Sequence, residues 1–303
     1  MKCRRLAAIL MAAAMTVGTL AGCSQGQAAG QEDNPYGIDE FVMVLIPGEE
    51  TEKSVQLRDN MAEEMSEAIG IPVTTYRATD YSAAVEAMRT GQAHLALLGP
   101  FSYVTARERA GAECLVVQAT NGESGYQSYI VARSDSDIET LADLEGKTFA
   151  FVDPESTSGN VIPTDEIINE FPEKELTFDD VHAEGKFFAS AMYAGSHPAS
   201  IQAVVQGNVD AGAVTNTTYE SQIEAGNVNE EDLKVIWESP VIPGSPLAIQ
   251  KDLPQELKDK VKEFLLAYDD AEYFGDPNSR YIEANDEDYD YLEELKDKYG
   301  LTD

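Results

Sequence analysis

This chain of 303 residues is poor in the side chains that gather metals or carry nucleophilic chemistry. Its three histidines, His94, His182 and His197, lie far apart and lack the spacing of a zinc site. No metal or other cofactor is expected. Ser158 lacks the Gly-x-Ser-x-Gly frame of an activated serine, so the sequence does not read as an enzyme. Cations are also scarce, with 21 Lys and Arg against 55 Asp and Glu and a net charge of −34. Such a surface repels nucleic acid and acidic lipid, and no nucleic-acid partner is expected. After the first 22 residues no apolar run reaches membrane length. With 43% hydrophobic and 25% charged residues, the composition is that of a globular protein with a sizeable core.

Residues 1–22 read as a secretory signal peptide. Lys2, Arg4 and Arg5 form a positive start, and Leu6 to Leu20 form an apolar stretch too short to span comfortably. The stretch ends in Leu20-Ala21-Gly22-Cys23, which resembles the bacterial lipobox. That resemblance implies that Cys23 becomes the first mature residue and carries lipid, which would hold the protein on the extracytoplasmic face of the cell membrane. Cleavage near Ala28 would instead leave a soluble secreted protein. Cys3 leaves with the signal, so only Cys114 remains and no internal disulfide can form. Taking the three signal cations from the 21 leaves 18 against 55 acids, a mature charge of −37. Residues 23–38 are expected to be the lipidated Cys and a flexible Gln-, Gly- and Ala-rich tether.

From Asp39 onward, strand and helix patterns alternate. Phe41–Ile46 is an apolar strand. Leu57, Met61, Met65 and Ile69 recur every four residues and are stopped by Gly70, the pattern of an amphipathic helix. Strands follow at 73–77, 93–98, 115–119, 129–132, 148–152, 209–214, 233–237 and 247–250. Helices are expected at 81–90, from Pro100 to Gly111, after Gly159, and at 197–206, 254–268 and 286–299. The last is very acidic and reads as a solvated helix. This alternation predicts an α/β fold with mainly parallel sheets. Residues 83–93 align without a gap with 199–209, helix on helix and Gly stop on Gly stop. The same shift of 116 residues places Tyr81 opposite His197 and Gly99-Pro100 opposite Thr215-Asn216. Two similar sheets would then present equivalent loops to one cleft.

The strongest local feature is Ser156-Thr157-Ser158-Gly159, between a buried strand and a helix. The first N–H groups of a helix lack internal partners and carry the positive end of its dipole, so added hydroxyls make an anion site without Lys or Arg. A plain helix cap would use the same residues.

From about Val42 to Leu253 the chain resembles the phosphonate- and phosphite-binding proteins of ABC importers. The resemblance rests on Thr79-Asp80-Tyr81, Gly99-Pro100-Phe101-Ser102-Tyr103, Gly125-Tyr126-Gln127-Ser128-Tyr129, the run Asp143 to Gly159, Gly195-Ser196-His197, Val209-Asp210-Ala211-Gly212 and Ser239-Pro240-Val241-Ile242-Pro243. It implies a two-lobed periplasmic-binding-protein fold of type II, with two interlobe crossings near 126–131 and 240–247. Lobe 1 would comprise 39–126 plus 246–303, and lobe 2 would comprise 127–245. The implied function is a monomeric solute-binding lipoprotein that captures a small phosphorus oxyanion (phosphonate, phosphite or phosphate) and delivers it to an ABC permease. A same-fold receptor for a sulfonate, vitamin precursor or amino acid is the alternative. The resemblance assigns Ser156, Thr157 and Ser158 to the phosphorus-bound oxygens, His197 to an oxygen across the cleft, and Tyr81 and Tyr126 to the cleft wall.

Two departures from the family pattern stand out. A Glu that grips the amine of aminoalkylphosphonates falls on Thr217 without a gap, or on Tyr219 or Glu220 with a shift. An Asp after Ile-Pro-x is replaced by Ser245. Loss of both carboxylates argues against a cationic amine on the ligand.

Overall fold

A computed structural model describes residues 35–48 and 51–301. The signal segment, Cys23 and residues 24–34 of the expected tether lie outside the described residues; the tether expected to reach residue 38 ends sooner, because Tyr36 is buried in the core and accepts from Lys260 Nζ at 2.6 Å. The chain opens with β1 (Phe41–Leu45), α1 (Glu52–Ile69), β2 (Val73–Arg77), α2 (Tyr81–Arg89), β3 (Leu95–Leu97), α3 (Pro100–Ala110) and β4 (Ala112–Thr120). It then crosses to β5 (Ser128–Arg133), β6 (Thr148–Phe151), a π turn at Thr157–Val161, α4 (Ile162–Glu170), α5 (Phe178–His182) and β7 (Ser190–Tyr193). α6 (His197–Val205), β8 (Ala211–Thr215), α7 (Asn216–Glu224) and β9 (Leu233–Glu238) complete that half. The return brings β10 (Pro246–Gln250), α8 (Gln255–Ala267), α9 (Ala271–Phe274), β11 (Ser279–Glu283) and α10 (Asp290–Tyr299).

Local chemistry explains the element ends. α1 starts a turn and a half before its apolar periodicity, because Thr51 and Ser54 cap it reciprocally. It stops at Gly70, whose φ of 79° favours glycine. Its buried face is Met61, Met65 and Ile69.

Two sheets result, in the orders β11-β4-β10-β3-β1-β2 and β7-β6-β8-β5-β9. The α/β architecture matches type II periplasmic binding proteins, but the expected mainly parallel sheets are corrected to mixed ones. β1 pairs in parallel with β2 and β3, and β6 with β7 and β8. β10 and β11 pair antiparallel with their neighbours, as do β5 and β9. The reason is connection: β5 and β10 enter their sheets from the interlobe crossings rather than through a helix on one face.

Each sheet is buried on both faces. In the first, α1 and α8 cover one side and α2, α3 and α10 the other. In the second, Phe149 stacks on Phe188 at 4.6 Å and contacts Phe151 at 4.7 Å, while Ile201 and Val204 of α6 fill the opposite face. The two sheets meet at the crossings, where Tyr126 and Ile242 form an antiparallel bridge. All described residues belong to one compact unit.

The internal repeat is structural. α2 spans 81–89 and α6 spans 197–205, with Asp80 and Ser196 as matching N-caps. α3 and α7 begin at Pro100 and Asn216, which keeps the same shift.

The acidic C-terminal helix is not merely solvated. Asp286, ahead of α10, accepts from the Tyr103 hydroxyl, and Leu292 is buried against α3. Farther along, Lys298 Nζ lies 2.6 Å from Asp165 Oδ1 of α4, and Tyr299 packs on Phe178 of α5. α10 therefore touches both halves. Val161 and Ile162, at the start of α4, pack into the same apolar cluster as α3 and α10.

Candidate functional site

A cleft of about 610 Å³ lies between the two sheets. It opens at the carboxyl ends of β3 and β8, where Leu97 and Thr215 reach its wall. Such ends are where ligands bind in open α/β folds. The N-termini of five helices converge there. Tyr81 is the first residue of α2, Gly99 caps α3, Ser156–Ser158 lead into α4, His197 is the first residue of α6, and Thr215 caps α7. All of them line the cleft. Each such end carries the positive pole of its helix dipole.

The turn at Ser156 is tightly made. Ser156, Thr157, Ser158 and Gly159 are buried. Ser156 Oγ accepts from the Gly159 N–H at 3.1 Å, and Thr157 Oγ1 accepts from the Phe101 N–H at 2.7 Å. A hydroxyl that accepts through a lone pair keeps its own proton to donate. Ser128 Oγ donates to the Ser158 carbonyl at 2.6 Å and fixes the peptide from below. Gly159 is required by space, since a Cβ there would stand 2.4 Å from Val152.

Tyr81 reaches the Ser156 side chain, and Tyr126 reaches those of Ser158 and Thr157. Burial raises both phenols, Tyr126 to about 12, so both remain protonated donors. Across the cleft, His197 Nδ1 accepts from the Thr215 N–H at 3.2 Å. The ring proton therefore sits on Nε2. Burial holds the His197 pKa down at about 4, so the ring is a neutral donor at neutral pH.

Three hydrogen bonds tie the first half to this loop of the second. They are Phe101 to Thr157, Tyr81 N–H to Asp153 Oδ2 at 3.4 Å, and Thr105 Oγ1 to Glu155 Oε2 at 2.7 Å.

All eight positions expected from sequence (Tyr81, Tyr126, Ser156, Thr157, Ser158, His197, Thr217 and Ser245) line this one cleft. Of the three alternatives after β8, Thr217 lines it. Tyr219 instead packs on Tyr129 at 5.9 Å, with Tyr219 and Tyr129 both against the core of the second half. Ser102, expected near the cleft wall, donates to the Gly99 carbonyl and is buried. Neither Lys nor Arg is among the described residues of the lining, and Glu123 is its one charged group.

Comparison with known proteins gives this geometry a family. The model of the periplasmic substrate-binding protein of phosphonate ABC transporters matches residues 43–296. The chain belongs to this family. It is 35% identical over 257 residues to the phosphate-import protein PhnD of Mycolicibacterium smegmatis, covering 82% of this chain and 78% of that one. It is 31% identical over 212 residues to the phosphonates-binding periplasmic protein of Escherichia coli, covering 68% of this chain and 59% of that one. Among solved structures, a binding component of a Pseudomonas aeruginosa phosphonate transporter superposes with a TM-score of 0.75 at 25% identity, covering 86% of each chain. PhnD1 of Prochlorococcus marinus, solved with methylphosphonate, gives a TM-score of 0.73 at 23% identity, covering 87% of this chain and 99% of that one. As a member of this family the chain is an extracytoplasmic substrate-binding protein of an ABC transporter, with a small ligand and a permease as partners. Among the described residues no helix is long and apolar enough to cross a membrane.

The far wall of the cleft was not foreseen. Gln118, Thr120 and Glu123 reach it from the end of β4, and Tyr273 and Tyr281 from α9 and β11. The Tyr273 and Tyr281 hydroxyls lie 2.9 Å apart. β11 pairs with β4, so these groups come together only through strand order.

Proposed function

We propose that this protein is the lipid-anchored, monomeric receptor of an ABC importer and that it captures one small phosphorus oxyanion. The observation that carries this reading is a cleft at five helix N-termini, furnished with neutral hydroxyl and imidazole donors and, among the described residues, without lysine or arginine. The oxygens are held by Ser156, Thr157 and Ser158, with Tyr81 and Tyr126 on one side and His197 Nε2–H on the other. Thr217 and Ser245 face the substituent. Charge-assisted hydrogen bonds contribute ~1.5–3 kcal/mol each, so a few of them reach micromolar binding, about −8 kcal/mol. The relative named for phosphate import keeps phosphate in the set beside phosphite and methylphosphonate.

No turnover is expected of this site. Ser158 has no base assigned to it, and its role is to donate. Lobe 1 is read as 39–126 plus 246–303 and lobe 2 as 127–245, hinged where Tyr126 and Ile242 pair. The anchor is Cys23, supported by the lipobox-like sequence before it; incorporation of labelled fatty acid into the wild type and its loss in Cys23→Ser test this.

Calorimetry with phosphite, phosphate, methylphosphonate, 2-aminoethylphosphonate and an alkylsulfonate tests the ligand. Micromolar or tighter binding of one of the first three is expected. Preference for the aminoalkyl compound would overturn the role given to Thr217 and Ser245, and preference for the sulfonate would overturn the phosphorus reading.

A further inference from the structure

Behind the oxyanion turn stands a second histidine, outside the cleft. Asn160 belongs to the turn and is only 1% exposed. Its Nδ2 donates to the Pro154 carbonyl at 2.8 Å. This bond settles the amide orientation, because the flipped form would set two carbonyl oxygens face to face. Asn160 Oδ1 therefore faces His182 Nε2, at 2.7 Å. Oδ1 can only accept, so this contact is a hydrogen bond with the proton on Nε2. The Phe178 carbonyl, 2.9 Å from Nδ1, is an acceptor too, so the two oxygens compete for the single proton of the neutral ring and the Asn160 bond requires it on Nε2; Thr164 Oγ1 is 3.4 Å from Nε2. Aromatic rings hold the imidazole in place: Phe151 at 4.4 Å, Phe178 at 4.8 Å and Tyr193 at 5.8 Å.

Asn160 thus joins the entrance of the loop, at Pro154, to its exit into α4. The groups between these two points are Ser156, Thr157 and Ser158. An amide with both ends engaged has no freedom to turn, whereas a buried Oδ1 without its donor would pull the loop toward another partner.

We propose that His182 and Asn160 are positioning residues for ligand binding, a brace that runs from His182 Nε2–H through the Asn160 amide to the Pro154 carbonyl and holds the oxyanion turn in its receptive shape. The proposal rests on the phosphorus-oxyanion reading for its effect on affinity. Its effect on the turn itself is independent of any ligand.

Two variants separate donation from packing. His182→Phe keeps a ring in the aromatic box and removes the donor. His182→Gln returns an amide N–H near the place of Nε2. Phosphate, phosphite and methylphosphonate are titrated into each by calorimetry, and amide hydrogen exchange of residues 157–161 is followed in the ligand-free proteins. In His182→Phe, binding of whichever anion the wild type takes should weaken about tenfold or more, and turn exchange should accelerate by a similar factor. His182→Gln should recover both to within about threefold of wild type. Unchanged exchange in the Phe variant, or a Gln variant no better than Phe, overturns the brace. Should the wild type bind none of the three anions, the oxyanion reading falls and the exchange comparison still decides the brace. If the Phe variant does not fold, imidazole nitrogen shifts of the wild type decide: a proton on Nδ1 instead of Nε2 overturns the proposal.

Discussion

At His197 the usefulness of the ring to an anion comes from where its proton sits rather than from a charge. Its pKa of about 4 lies below the ordinary value of 6.5 because of burial. The unfolded chain takes up this proton first as pH falls. The contribution of a neutral His197 to stability is therefore full above about pH 6.5 and is lost progressively as pH falls toward about 4. Imidazole resonances of the ligand-free protein should show the Nε2–H tautomer with no titration between about pH 6 and 8. Replacement by Ala should weaken oxyanion binding about ten- to hundredfold, the equivalent of ~1.5–3 kcal/mol, as read by calorimetry. Thr217 and Ser245 work by what they lack. Thr217→Glu combined with Ser245→Asp should shift preference from methylphosphonate toward 2-aminoethylphosphonate by tenfold or more, about 1.4 kcal/mol per decade. A double variant that loses both ligands equally would show that these positions do not face the substituent.

Among the elements, the turn at Thr157–Val161 shows most directly how a local choice serves the site. Gly159→Ala would set a methyl group 2.4 Å from Val152 and 2.8 Å from Ser156 Oγ. It should cost about 1–3 kcal/mol in a denaturant titration and reduce ligand affinity at the same time. The eight positions that the family resemblance singled out reach one cleft because all of them sit at or next to helix starts or crossings. The strands with apolar runs, such as β1 and β6, were legible from their contrast in hydropathy. β7 was missed because its four residues are half-buried or exposed and carry no alternation. β11 and the polar α7, with Gln222 as its buried residue, gave equally little contrast. Glu123, Tyr273 and Tyr281 could not be assigned to the cleft from a chain pattern. Their place follows from the pairing of β11 with β4, a contact between residues 116–120 and 279–283. The mixed pairing of the sheets has the same origin, since the direction of β10 depends on a return from the other lobe.

For the molecule as a whole, two lobes joined at Tyr126 and Ile242 should close on the ligand. The radius of gyration from small-angle scattering should fall when a saturating oxyanion is added. No change would argue for a rigid site, a result that the ties from Tyr81, Phe101 and Thr105 to the loop 153–157 would help explain. The net charge of −34 acts in the opposite sense from the site. The helix ends work over a few ångströms, whereas the surface charge acts out to the screening length, about 8 Å at physiological salt and about 30 Å at 0.01 M. Association of the anion should therefore speed up as salt is raised from about 0.01 to 0.15 M, measured by stopped flow. A rate that falls with salt would reveal a basic entrance to the cleft.

The sheet order β11-β4-β10-β3-β1-β2 sets a timetable for assembly. β4 has as neighbours only β10 and β11, which are the last strands to be synthesised. The second sheet has all its strands by residue 238, whereas the first waits for residue 283. A chain that emerges N-terminus first therefore completes its inserted lobe before the lobe into which it is inserted. Non-local pairing of this kind folds slowly, because the loop between partners must close first. The nascent polypeptide consequently holds an unpaired β4 and an open cleft until the strands at 246–250 and 279–283 have been made.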